Sequence, residues 1–175
     1  MKNSIFCILA LLCFSIHCNN ALCRSISDAE KTVLGYAKAF QDQDWANAVT
    51  YLHPKLIKDM QNQIIDILRK VKKSDLNELL SQFGVKAIKD LEVMPPEQFY
   101  IINQQRRFKD AKIDARSMNR LRFEVSKAKI SNDKEYMIEL RSAVDSKNAH
   151  AQEFKTFKVV EFENNWKIVK ITQNK

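Results

Sequence analysis

Apolar side chains return every three or four positions through the first part of the chain, and every two positions from Arg120 onward. That change of period implies a helical first two-thirds followed by a stranded last third. Ser27 and Glu30 form a capping-box pair, and behind them Ala29, Val33, Tyr36, Ala37 and Phe40 share one helical face. Asp44 is placed to cap a short second helix carrying Trp45, Val49 and Leu52. Pro54 suits the first turn of a third helix, where its missing N–H costs nothing. The apolar stripe of that helix is Ile57, Met60, Ile64, Ile67, Leu68 and Val71, and Arg69, Lys70, Lys72 and Lys73 gather at its end, where the helix dipole favours cations. Ser74 to Phe83 reads as a further short helix stopped near Gly84, whereas Val85 to Met94 is ambiguous and has room for a short strand. Pro95 and Pro96 open a helix carrying Phe99, Ile102 and Arg106, and Arg107 to Asn119 reads as a charged loop or frayed helix.

In the stranded part, Leu121, Phe123 and Val125 alternate with polar residues, as do Tyr136, Ile138 and Leu140. Phe157–Phe162 and Trp166–Ile171 complete four strands. Asn132-Asp133 and Asn164-Asn165 supply residues that tolerate the left-handed backbone of tight hairpin turns. Short turns between successive strands make an antiparallel meander, one face of which is free to take the helices. The fold class expected is α+β, with the N-terminal helices packed on a curved four-stranded antiparallel sheet. The inward-facing set is Leu121, Phe123, Val125, Tyr136, Ile138, Leu140, Phe157, Val159, Trp166 and Ile168. None of these is acidic, and Glu124, Glu139, Glu161 and Glu163 fall on the opposite phase or at a strand end. Trp166 is expected to anchor the core between the last strand and the helices.

The N-terminus changes the picture of where such a domain works. Lys2 is followed by an apolar run from Ile5 to about Cys18, too short for a bilayer, which takes roughly 20 apolar residues. A basic start, a short apolar stretch and small or polar residues after it is the layout of a cleaved secretory signal. Residues 1–23 are therefore expected to be a signal peptide, and residues 24–175 a single exported domain, periplasmic or secreted. All four cysteines (Cys7, Cys13, Cys18 and Cys23) lie in that segment, so no disulfide framework is expected in the domain. Leu12, His17 and Leu22 stand before Cys13, Cys18 and Cys23 where a lipobox wants a small residue, which argues against a lipoprotein. With Lys2 set aside, 28 Lys+Arg face 21 Asp+Glu, a charge of about +7. Only two glycines in the whole chain argue against Gly-rich phosphate loops.

Helices, a further helix opened by Pro-Pro, and strands ending in a Trp-Lys-Ile segment make an order that resembles the nuclear transport factor 2-like superfamily, the cystatin-like cone fold. The residues carrying the resemblance are SDAEKTVLGYAKAFQDQDWANAVTYLHP, MPPEQFY and EFENNWKIVKI, within roughly residues 27–172. The resemblance is to an exported bacterial member, with the Asp-Trp-Ala pattern after the first helix matched in Gln41 to Ala48. It implies a cone-like domain, and a fold of this kind does not fix function. Members include isomerases, dehydratases, polyketide cyclases, secretion-system subunits and binding modules, and the enzymes among them use a buried acid inside the cone.

Candidate chemistry is sparse. Beyond residue 23 the only histidines are His53, beside Pro54 at a helix junction, and His150, in a loop around residues 145–152. His53 suits a structural role better than catalysis, and no spacing of ligand types suggests a metal site. No catalytic residues and no cofactor are expected. Tyr36, Phe40, Phe99, Phe123, Tyr136 and Trp166 form an aromatic set able to line a ligand pocket, with plain hydrophobic core as the competing reading. Arg106, Arg107, Lys109, Lys112, Arg116, Arg120 and Arg122 crowd one stretch, either as a solvated loop or as a weak contact for an anionic membrane surface. Nucleic acid is not expected, since only Phe108 is interleaved there for base stacking. The function expected is an exported, non-catalytic binding or interaction module for a small apolar ligand or an envelope partner. The alternatives are an isomerase- or cyclase-type enzyme, and a subunit of an envelope or secretion assembly.

Overall fold

The computed structural model describes residues 26–112, 118–132, 134–144 and 152–174. The expected signal segment lies outside these residues, as do Arg116, Asp133 and His150.

Among the described residues the sheet is preceded by α1 (residues 26–41), α2 (Trp45–Thr50), α3 (Pro54–Leu68), α4 (Lys73–Ser81), α5 (Ile88–Val93) and α6 (Pro96–Asp110). Residue 26 is already helical, so Ser27 stands inside α1 and not at its cap. The expected face of α1 is buried through Ala29, Val33, Tyr36 and Ala37. Asp44 does cap α2, its side chain accepting from the Asn47 N–H at 3.1 Å. His53 caps α3: Nδ1 accepts from the Lys55 N–H at 3.1 Å while Pro54 occupies the first turn. The buried stripe of α3 is Ile57, Gln61, Ile65 and Leu68, and Ile67, expected inside, is 58% exposed. Gly84 ends the turn after α4 with φ +70°, and Val85 N–H reaches back to the Leu80 carbonyl at 3.2 Å. That left-handed closure is a glycine C-cap.

Residues 88–93, read as ambiguous with room for a strand, are helix. The reason lies at both ends of α5. Asp90 accepts from the Lys86 and Ala87 N–H groups at 3.1 and 2.9 Å, satisfying donors at its start. Gln61 Nε2 donates to the Leu91 and Met94 carbonyls at 2.7 and 2.9 Å, satisfying acceptors at its end. Helix α6 continues to Asp110, through the beginning of the stretch read as a loop. Arg107 and Lys109 occupy its last turn, where cations complement the dipole.

Strands β1 (Leu121–Asn132), β2 (Glu135–Val144), β3 (Gln152–Phe162) and β4 (Asn165–Gln173) follow in the spatial order β1-β2-β3-β4, every pair antiparallel. The turn between β3 and β4 is Glu163-Asn164, at φ +50° and +61°, one residue earlier than the Asn pair suggests. The expected inward phase holds: Tyr136, Ile138, Leu140, Phe157, Val159 and Ile168 are buried. Pairing slips between Val125 and Lys127, and on β4 Lys158 opposes Lys170 while Val159 opposes Ile168, leaving Val169 unpaired. Bulges of this kind bend a strand. Here they also shift the phase, so that Ala128 on β1 and Ile171 on β4 fall on the helix side. The edge of β4 is partly closed by the segment leading into α3, with His53 N–H to the Ile168 carbonyl and Ile168 N–H to the Tyr51 carbonyl, both 2.9 Å.

Three apolar clusters result. The largest joins α1, α2, α3 and α6 to the sheet. A second is purely helical, built from Ile65, Leu68, Leu80, Phe83, Leu91 and Phe99. A third sets Trp45, Phe108 and Met118 together where α2 meets the end of α6. Gln41 Nε2 ties α1 to this corner, donating to the Met118 and Leu121 carbonyls at 2.9 Å each.

Candidate functional site

A cavity of about 390 Å³ opens between the helices and the inner face of the sheet. That volume lies within the range of small-molecule sites, roughly 300–1,000 Å³. Tyr36, Ala37 and Phe40 of α1 form one wall, and Leu52, Leu56 and Met60 a second. Tyr100, Gln104 and Arg107 line it from α6, at a spacing of four and then three residues that puts them on one face. The sheet contributes Phe123 from β1, Leu140 and Ser142 from β2, Lys155 and Phe157 from β3, and Ile171 from β4. Register explains why these meet: Phe123 pairs with Ser142, Leu140 with Lys155, and Phe157 with Ile171. Ile171 reaches the cavity only because Val169 is bulged.

The polar groups on this wall are unusual in kind. Tyr36 and Tyr100 hydroxyls meet at 3.2 Å in a buried pair. Burial pushes the Tyr36 phenol up, against the smaller opposing effects of the Tyr100 hydrogen bond and the nearby Arg107 charge. Tyr100 is pushed up as well, by burial first and then by its Tyr36 neighbour, again with Arg107 opposing. Both phenols therefore stay protonated. Gln104 is buried beside them. Ser142 Oγ donates to the Glu153 carbonyl at 3.3 Å, and Lys155 Nζ keeps a 3.5 Å contact with the Glu153 carboxylate. Among the described residues no aspartate, glutamate or histidine lines the cavity.

Of the aromatic set read from the sequence, Tyr36, Phe40 and Phe123 line this cavity, and the other three lie elsewhere. Phe99 belongs to the helical cluster, stacked on Phe83 at 5.6 Å. Tyr136 has no exposure and is plain core. Trp166 is half-buried, edge-on to Tyr136 at 4.9 Å, and borders a separate polar crevice with Asp28, Tyr51 and Asn164. It is not the core anchor expected of it, because it sits beside the hairpin turn, where the helices cover it only in part.

The basic stretch is divided by the fold. Arg106 turns inward, bonded to Asp110, Gln82 and Asn103 at 3.2–3.3 Å, with its guanidinium carbon 5.0 Å from the Phe83 ring centre. Arg107 faces the cavity. Lys109, Lys112, Arg120 and Arg122 are exposed, and Arg116 lies outside the described residues. His53 stands outside the cavity, its ring 4.4 Å from that of Phe162. Among the described residues no group of three His, Cys, Asp or Glu is placed to hold a metal.

Tyr100, Gln104, Ser142 and Lys155 were not legible as site residues, and Arg107, expected on a solvated loop or an anionic-surface contact, lines the cavity instead. On α6 the stripe read as Phe99, Ile102 and Arg106 belongs to the face turned toward the helical cluster. One position further along, the same helical period gives Tyr100, Gln104 and Arg107. On the sheet, extending the period of two by one step beyond Leu140 and before Phe157 reaches Ser142 and Lys155.

No protein-family model matches the chain, and no curated protein is similar to it. Among solved structures it is similar to an NTF-2 like protein of unknown function from Shewanella oneidensis MR-1, at 11% identity and a TM-score of 0.46, over 84% of this chain and 96% of that one. A likeness at that level says nothing of chemistry, and the site rests on this chain's own residues.

Proposed function

We propose that the protein is an exported, non-catalytic binding module that takes one small apolar molecule into the cavity between α1, α3, α6 and the sheet. The observation that carries this reading is the lining itself: among the described residues, apolar walls with a few hydrogen-bond donors and no carboxylate or imidazole. An isomerase or cyclase of the cone type needs a general base within hydrogen-bond reach of its substrate, and among the described residues no carboxylate or imidazole stands in the wall to serve as one. Export rests on the basic, apolar, then small-residue layout of residues 1–23.

Binding of the neutral fluorophore N-phenyl-1-naphthylamine to protein recovered from an expressing cell tests the reading. One saturable site is expected, and Leu56→Trp, which fills the cavity from α3, is expected to abolish it. Absence of saturation, or equal binding by the variant, contradicts the reading. Intact mass of the same preparation tests export: the chain is expected to begin between Leu22 and Arg24 with no added lipid, and a retained N-terminus goes against it.

A further inference from the structure

We propose that the ligand is an amphiphile whose carboxylate is held at the cavity wall by Arg107 and Lys155. The inference rests on the binding reading above and deepens it by naming the head group. Two cations border one mostly apolar cavity, one from α6 and one from β3, and among the described residues no acid lines it. Arg107 is exposed on its outer side and has no ion-pair or hydrogen-bond partner within the described residues. Lys155 has only its 3.5 Å contact with Glu153, whose carboxylate also accepts from Gln173 at 2.8 Å. Lysine at this position is out of pattern: an inward strand position next to Phe157 ordinarily carries an apolar residue.

The tyrosine pair adds to the same chemistry. Two phenols hold two hydroxyl hydrogens, and the Tyr36–Tyr100 bond uses one of them. The second remains to be donated, on the wall that carries Gln104 and Arg107. A cation or a basic amine meets repulsion there. A neutral apolar molecule leaves the donors unpaired. A carboxylate satisfies them, since guanidinium presents a planar fork that matches its two oxygens. The apolar remainder of such a molecule then lies along Phe40, Leu56, Met60 and Phe157.

The test is calorimetric titration of the full exported chain at neutral pH with decanoate and with decanol, which share a chain and differ in head group. Decanoate is expected to bind about tenfold tighter or more, the size of one to two charge-assisted hydrogen bonds. Arg107→Gln combined with Lys155→Gln is expected to bring the ratio close to one, with circular dichroism checking that the fold is kept. Lys109→Gln, an exposed cation outside the cavity, serves as the control for net charge. Equal affinity for both probes overturns the head-group inference and leaves the apolar cavity standing. So does a ratio that survives the double substitution, or one that Lys109→Gln lowers as much. If neither probe binds, the binding reading fails together with the inference.

Discussion

Gln61 occupies a position in α3 where the helical period asks for an apolar residue, and it is fully buried. Its amide donates to the carbonyls that end α5, and its Oε1 accepts from Lys58 at 3.0 Å. Helix ends leave carbonyls without partners, and this side chain supplies them from a neighbouring helix. Gln61→Leu keeps the volume but strands one buried and one part-buried acceptor, a loss of about 1–3 kcal/mol for groups left unsatisfied. Urea unfolding checks this, and a midpoint equal to the parent's contradicts it. The sequence could not show the role, because a glutamine beside apolar neighbours reads as surface. The expected stripe stepped from Ile57 to Met60 in its place and ran on to Ile67, which is exposed. The site residues were hidden for a related reason. Arg107 and Lys155 are charged, and charged residues are assigned to solvent unless paired.

At the level of elements, the strands were legible because alternation is the side-chain period of a pleated sheet, and one face here is covered. The bulges were not legible. An unpaired residue such as Val169 is apolar like Ile168 before it, and only the pairing with β3 shows that it is extra. Its effect is to put Ile171 and not Lys170 on the cavity side. The two tryptophans separate packing from position in the same way. Trp45 is 5% exposed, edge-on to Phe108 at 4.6 Å and to Phe40 at 5.1 Å. Trp166, on β4, is half-buried with one ring neighbour. Truncation of Trp45 to Ala is expected to cost about 3–5 kcal/mol, as for packed core aromatics, and Trp166→Ala clearly less. Denaturant midpoints of the two variants decide the order, and a larger loss at Trp166 reverses the argument.

Across the whole molecule, stability is unevenly distributed. The order of helices followed by a meander could be read from the change of period, but the division of the helices between two cores could not. Helix α6 serves both, turning Phe99 toward α3, α4 and α5 and Tyr100 toward the sheet. Helix α4 is attached more thinly than any strand of the meander. Leu80 is its one buried side chain, and behind it Phe83 stacks on Phe99 while Gln82 accepts from Arg106 at 3.2 Å. Regions with few buried apolar contacts open at a free energy below that of global unfolding. The helical cluster shares no buried residue with the cavity, so its opening can leave the sheet side intact. Hydrogen exchange under native conditions is expected to show α4 amides exchanging well before those of β2 and β3. Leu80→Ala is expected to accelerate α4 selectively, while N-phenyl-1-naphthylamine binding persists. Protection of α4 equal to that of β2, or loss of the probe's binding in Leu80→Ala, would mean that the two cores unfold as one unit.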